Sequence, residues 1–137
     1  MLVALPSAVW ISRAYAAAVL RGWGCDDDRL IDDARLVVSE LVTNAVQALG
    51  YATTRPSAPA LLAKEALIRI TLTHLDGGGL RIDVWDSSPG FPVLEDDVPD
   101  DSENGRGLFI VAAVAASTGY QYCERSPGKT VFAVLTP

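Results

Sequence analysis

The sequence predicts an α+β fold: a two-layer α/β sandwich with a mostly antiparallel sheet and about three helices. Three observations carry this expectation. Amphipathic helical segments open the chain, strand-like segments come in pairs joined by tight turns, and the helices have apolar faces wide enough to cover one side of a sheet. With 137 residues, 50% of them hydrophobic, the chain is expected to form a single domain over 1–137 around one core.

The first helix is expected from Ser7 to Leu20, where Val9, Trp10, Ala14, Tyr15, Ala18 and Val19 recur at helical spacing. Ser7 is the candidate N-cap, and Gly22 and Gly24 stop the helix. Asp26, Asp27 and Asp28 then offer caps and favourable negative charge to a second helix from about Arg29 to Leu49. Its apolar face runs through Leu30, Ile31, Ala34, Val38, Leu41, Val42, Ala45, Val46 and Leu49. Arg29, Asp33, Glu40, Asn44 and Gln47 form the opposite stripe, with Glu40 and Asn44 one turn apart.

Tyr51 to Pro59 has no period and reads as a mobile loop. Leu67–Leu75 and Leu80–Asp86 alternate as strands around Asp76-Gly77-Gly78-Gly79, a hairpin turn. By parity Asp86 continues the series Leu80, Ile82, Val84, which puts a carboxylate at the edge of an apolar face, where it needs a partner. A third helix is expected to open at Gly105-Arg106-Gly107-Leu108 and run to about Thr118, ended by Gly119. Tyr120–Glu124 and Thr130–Leu135 read as a final pair of strands around Ser126-Pro127-Gly128-Lys129.

Composition excludes several function classes. The 17 Asp and Glu exceed the 11 Lys and Arg, for a net charge of -6, so a generic phosphate-neutralising nucleic-acid face is not expected. Two cysteines and one histidine are too few for a disulfide scaffold or a Cys/His zinc site. No stretch approaches the ~18 apolar residues of a membrane span, and the start lacks the pattern of a signal peptide, so a cytoplasmic location and no membrane contact are expected. His74, Trp10, Trp23 and Trp85 read as structural or packing residues.

Two phosphate-loop patterns are rejected. Gly128-Lys129-Thr130 lacks the upstream Gly of a Walker loop, with Cys123 in its place, and no helix follows it. Gly105-Arg106-Gly107 has Ile at position 110 and follows an acidic segment, not a strand. A different constellation is chemically coherent. A glycine pair before a helix lets backbone N–H groups approach an anion at the positive end of the helix dipole. The amide oxygen of Asn44 is a suitable hard ligand for Mg²⁺, which keeps several waters while bridging substrate phosphates. Glu40 is placed to accept a proton from an attacking water or hydroxyl. Asp86 can accept from the exocyclic amino group of adenine, with Pro89 and Gly90 shaping the chain that leaves the pocket.

These segments resemble the motifs of the GHKL ATPase superfamily, which has the Bergerat ATP-binding fold. Glu40-Leu41-Val42-Thr43-Asn44-Ala45 resembles its N box, Asp86-Ser87-Ser88-Pro89-Gly90 its G1 box and Gly105-Arg106-Gly107-Leu108 its G2 box. Gly128-Lys129-Thr130-Val131-Phe132 is similar to the segment whose Thr supports the adenine-binding Asp. The order and spacing fit over nearly the whole chain. The wording ARLVVSELVTNAV is similar to stand-alone anti-sigma-factor serine/threonine kinases and their actinobacterial relatives.

The resemblance implies ATP and Mg²⁺ as cofactors, with Asn44 on the metal, Glu40 as general base and Asp86 on the adenine amino group. It further implies Gly105, Arg106, Gly107 and Leu108 at the phosphates and Thr130 beside Asp86. The implied partners are an anti-sigma-factor antagonist, a sigma factor, and a second copy of the chain met through the first helix with Trp10 and Tyr15. Ser88 stands where the G1 pattern has its first Gly, Ala48 where relatives often carry a His, and six carboxylates lie between Glu95 and Glu103. These departures favour an alternative reading, a catalytically inactive interaction module of the same fold with weak or no nucleotide binding. The ATPase module of a two-component histidine kinase is disfavoured, since no segment is left for a dimerisation helix and phosphoacceptor His.

Overall fold

The fold was obtained as a computed structural model, which describes residues 1–88, 103–122 and 127–137. In chain order the elements are β1 (Leu2–Val3), α1 (Ser7–Gly22), α2 (Asp28–Ala48), α3 (Ala58–Leu62), β2 (Leu67–His74), β3 (Leu80–Asp86), α4 (Glu103–Val114), β4 (Ser117–Tyr122) and β5 (Lys129–Leu135). The strands form one sheet in the order β1-β2-β3-β5-β4, and every neighbouring pair is antiparallel. Helices α1, α2 and α4 make the second layer, with α2 in the middle, packed on α1, α4 and the central strands β3 and β5. The α+β two-layer expectation holds.

The position of α2 follows from its two-sided sequence. Leu30, Ile31, Ala34, Val37, Val38, Leu41, Val42, Ala45 and Val46 are buried, so one wide face meets the sheet and both flanking helices. Its start is fixed by Asp27, whose carboxylate accepts from the N–H groups of Arg29 at 3.0 Å and Leu30 at 3.2 Å. The hairpin is also as expected. Ile82 lies opposite Leu72, and Gly77 and Gly78 take φ of 83° and 86° in the turn, a region closed to most side chains. Along β3 every second residue is buried, ending in Asp86, and β5 repeats the pattern from Lys129 to Leu135.

Several local expectations are corrected. Ser7 is the first helical residue and not a cap; Pro6 holds that position without a side-chain bond, because the first helical donors reach the carbonyls of Leu5 and Pro6. The aperiodic segment after Tyr51 contains α3, started by Ser57, whose hydroxyl accepts from Ala60 N–H at 3.3 Å, with Pro59 in the first turn. The two residues of β1 gain strand structure only by pairing with Leu67 and Ile68. Helix α4 ends at Val114, earlier than expected, and Gly119 lies inside β4. There it faces Phe132, whose ring covers the glycine so closely that an added Cβ would sit 2.9 Å from it. Trp10 does not pack inward; it is 73% exposed on α1, beside exposed Ile11 and Tyr15. His74 meets Trp23 edge to face at 5.7 Å, a structural contact.

The sheet face away from the helices is held by side-chain stacking. Arg69 lies over Trp85 at 5.1 Å, and Arg81 over Phe132 at 4.1 Å while pairing with Asp83 at 2.8 Å. None of the helices among the described residues is long and apolar enough to cross a membrane.

Stability should therefore rest on α2. Leu41→Ala, at a site 1% exposed, is expected to cost ~2–5 kcal/mol in chemical denaturation, whereas Leu62→Ala, 85% exposed on α3, should stay within ~0.5 kcal/mol of wild type.

Candidate functional site

The site grows from the end of β3. Asp86 is 1% exposed, and its neighbour across the ladder is Lys129, the first residue of β5 and likewise 1% exposed. The Lys129 ammonium donates to Asp86 Oδ1 at 3.0 Å, and the Ser88 N–H donates to the same oxygen at 2.8 Å. Asp86 Oδ2 is buried and receives no hydrogen bond among the described residues. Burial pushes the Asp86 carboxyl above its ordinary value, and the Lys129 hydrogen bond and charge, with the Ser88 N–H, offset this only in part.

Gly128 makes the pairing possible. Its φ is 106°, and an added Cβ would run into the Asp86 carbonyl oxygen and lie 2.9 Å from Ser87 Cα. The turn into β5 thus passes directly over the end of β3. This close approach brings Lys129 to the carboxylate.

The second part of the site lies between α2 and α4. Glu40 and Asn44 are both partly buried, outside the fully buried stripe of α2, one turn and roughly 6 Å of rise apart. Glu40 reaches Gly107 on α4, where an added Cβ would sit 2.6 Å from Glu40 Oε2. Since α2 also packs on β3, the helix carrying Glu40 and Asn44 adjoins both the strand ending in Asp86 and the helix carrying Gly107.

Other expected site residues are placed differently. Gly105 and Gly107 do not precede a helix; α4 begins at Glu103, so both lie within it. Gly105 is among the first four residues, whose N–H groups lack intrahelical partners, whereas Gly107 is past them and serves the close approach to Glu40. Leu108 is 4% exposed and belongs to the hydrophobic core, so its side chain anchors α4 and does not face a ligand. Thr130 does not support Asp86. It pairs with Trp85, one residue out of step, and strand parity turns it to the opposite face of the sheet, leaving the place beside Asp86 to Lys129. The backbone of Arg106 lies in the first turns of α4. Pro89, Gly90, most of the acidic segment and the Arg106 side chain lie outside the described residues.

Lys129 is the residue of the candidate site that the sequence did not single out. The signal was present, since parity from Val131, Ala133 and Leu135 places residue 129 on the inward face, as it did for Asp86. A groove of about 670 Å³ runs from Ala48 and Leu49 past Lys64 and Glu65 to Trp85, Ser87 and Ser88, without Asp86 or Lys129 in its lining. Neither Glu40 nor Asn44 lines it.

The residues present fit a purine nucleotide with a divalent cation. The buried acceptor Oδ2 lacks a donor, which an exocyclic amino group supplies, and a single amide oxygen suits an ion that takes its other ligands from phosphate and water. Among the described residues no cluster of three or more His, Cys, Asp or Glu forms an all-protein metal cage.

The family model for the histidine kinase-like ATPase domain matches residues 2–135. No curated protein matches the chain. Among solved structures, the histidine kinase domain from the Erythrobacter litoralis EL346 blue-light activated histidine kinase is similar, with 21% identity and a TM-score of 0.49. The match covers 77% of this chain and 44% of that one.

Gly128→Ala should destabilise the fold by more than ~1 kcal/mol, read as a lowered denaturation midpoint, because φ and contact both oppose a side chain. The raised Asp86 value fixes a sign for pH. The folded state holds this proton more tightly than the unfolded chain, so the associated stability is complete below the ordinary value of 3.8 and is lost as pH rises through the raised one. The stability difference, wild type minus Asp86→Asn, should accordingly decline with rising pH over that window; denaturation at a series of pH values would show a flat difference if the carboxyl were unperturbed.

Proposed function

The chain belongs to the histidine kinase-like ATPase domain family, and from that membership we propose that it binds ATP with Mg²⁺ and transfers the terminal phosphate to a serine or threonine of a partner protein. The partner class is an anti-sigma-factor antagonist, and the consequence is control of a sigma factor. The observation that carries the nucleotide half is the buried Oδ2 of Asp86, an acceptor with no donor at the end of a central strand. The phosphotransfer half is supported by the resemblance of the N-box segment and by Glu40 standing beside the start of α4.

On this reading each residue takes the following role. Asp86 accepts from the base amino group, while Ser88 N–H and Lys129 hold its other oxygen. The N-terminal turn of α4, with Gly105, presents backbone N–H groups that have no partner within the helix, and the positive end of the helix dipole, to the phosphates. Asn44 offers its amide oxygen to Mg²⁺, which when bound neutralises phosphate charge. Glu40 takes the proton from the attacking hydroxyl of the partner as that oxygen bonds to the terminal phosphorus and the bond to ADP breaks, so that ADP leaves and the carboxylate becomes a neutral acid. The exposed face of α1, with Trp10, Ile11 and Tyr15, offers apolar surface to a partner or a second copy.

A second reading is favoured by one observation. Lys129 already fills one side of Asp86, as it would in an interaction module that has given up nucleotide. Calorimetry with ATP and Mg²⁺, followed by transfer of labelled phosphate to a cognate antagonist, separates the two. Asp86→Asn should weaken ATP binding by roughly 10–100-fold, the worth of a hydrogen bond to a charged group. Glu40→Ala should leave binding intact and slow transfer by about 10²–10⁴-fold. Binding without transfer to any antagonist would remove the kinase role, and no binding would leave the interaction module.

A further inference from the structure

The buried pair at the end of β3 is half satisfied. Asp86 Oδ1 takes two donors, the Lys129 ammonium at 3.0 Å and the Ser88 N–H at 2.8 Å, while Oδ2 of the same carboxylate is buried with none among the described residues. An ion pair that served only to join β3 to β5 would gain by sharing the ammonium between both oxygens. A fully buried carboxylate oxygen without a donor is costly, and such groups in folded proteins ordinarily have a reason. The donors are gathered on one side. That leaves a single acceptor, fixed in direction by strand register and by the Gly128 turn.

We propose that Lys129 is the positioning residue for base recognition: by holding Oδ1 it presents Oδ2 of an ionised Asp86 as the sole acceptor, which sets the site for 6-aminopurine nucleotides against 6-oxopurine nucleotides. The proposal rests on the nucleotide-binding reading above. A 6-amino group donates to Oδ2, whereas a 6-oxo group would place oxygen against oxygen. The discrimination depends on charge. If the carboxyl were protonated it could donate, and a 6-oxo group would then be accepted.

The groups that govern its ionisation come from each neighbouring element. Lys129 on β5 favours the anion, whereas Tyr122, opposite Lys129 on β4, is a phenol within electrostatic reach of Asp86. The acidic groups of α2 are Asp28, Asp32, Asp33 and Glu40, the last with its carboxylate against Gly107; β2 places apolar Ile68 opposite Asp86. Lys129 is thus the cation among the described residues paired with this carboxylate, and its removal leaves burial to drive protonation.

ADP and IDP differ in the base only at this edge and serve as probes. Calorimetric titration of the full chain with each, in Mg²⁺ from pH 6 to 8.5, should show the wild type preferring ADP by about tenfold or more. Lys129→Met should weaken ADP by about tenfold or more, reduce the preference to less than about threefold, and move the acid limb of ADP binding to higher pH. Lys129→Thr, which keeps a donor without the charge, should fall between them. A Lys129→Met protein with wild-type affinities, preference and pH profile would overturn the role of Lys129 while leaving nucleotide binding standing. If Lys129→Met does not fold, the wild type and Lys129→Thr decide. Equal binding of ADP and IDP by the wild type overturns the proposal, and binding of neither overturns it together with the nucleotide reading.

Discussion

A carboxylate and an ammonium, both cut off from water, meet where β3 ends and β5 begins, and much of the molecule is arranged to keep them there. Taking each charge out of water costs several kcal/mol, and removing one partner from such a pair typically costs ~3–5 kcal/mol. The pair persists because the backbone leaves it no alternative. Register sets Lys129 opposite Asp86, Gly128 lets the turn cross over the strand end, and the Ser88 N–H closes the same oxygen. Together these constraints hold one buried acceptor in a fixed direction, which is what a small polar group on a ligand needs.

The second constraint is the placement of α2. A helix apolar on one broad face must cover the sheet, and this one also touches α1 and α4. Its polar stripe is therefore left along the seam with α4, where Glu40 comes against Gly107. A side chain at residue 107 would have to displace the Glu40 carboxylate. The core that stabilises the fold and the stripe to which the proposal assigns the chemistry are two sides of one helix, so core substitutions in α2 reach the candidate site through position as well as through stability.

Legibility in the sequence followed the range of the interactions involved. The hairpin, the face of α2 and the inward parity of Asp86 depend on neighbours a few residues away, and all three were readable. Partnerships across the fold were not. The strand β1 exists because Leu67 and Ile68 pair with it, and Gly119 belongs to a strand because Phe132 covers it. Starting the last strand at Thr130 hid Lys129 and assigned its place to the wrong side chain; one residue reverses every facing in a strand. Gly107 was noticed as a glycine beside a helix, but its reason, the nearness of Glu40, comes from a contact 67 positions back in the chain. The candidate site was thus legible as a set of residues and illegible as an arrangement of partners.

The most direct measurement is a crystal structure of the protein with ADP and Mg²⁺. The base amino group should lie within hydrogen-bond distance of Asp86 Oδ2, with Lys129 still on Oδ1, the phosphates toward the first turn of α4 and the metal on the Asn44 amide oxygen. Crystals that hold no nucleotide at saturating concentration, or hold it with the base away from Oδ2, would contradict the account.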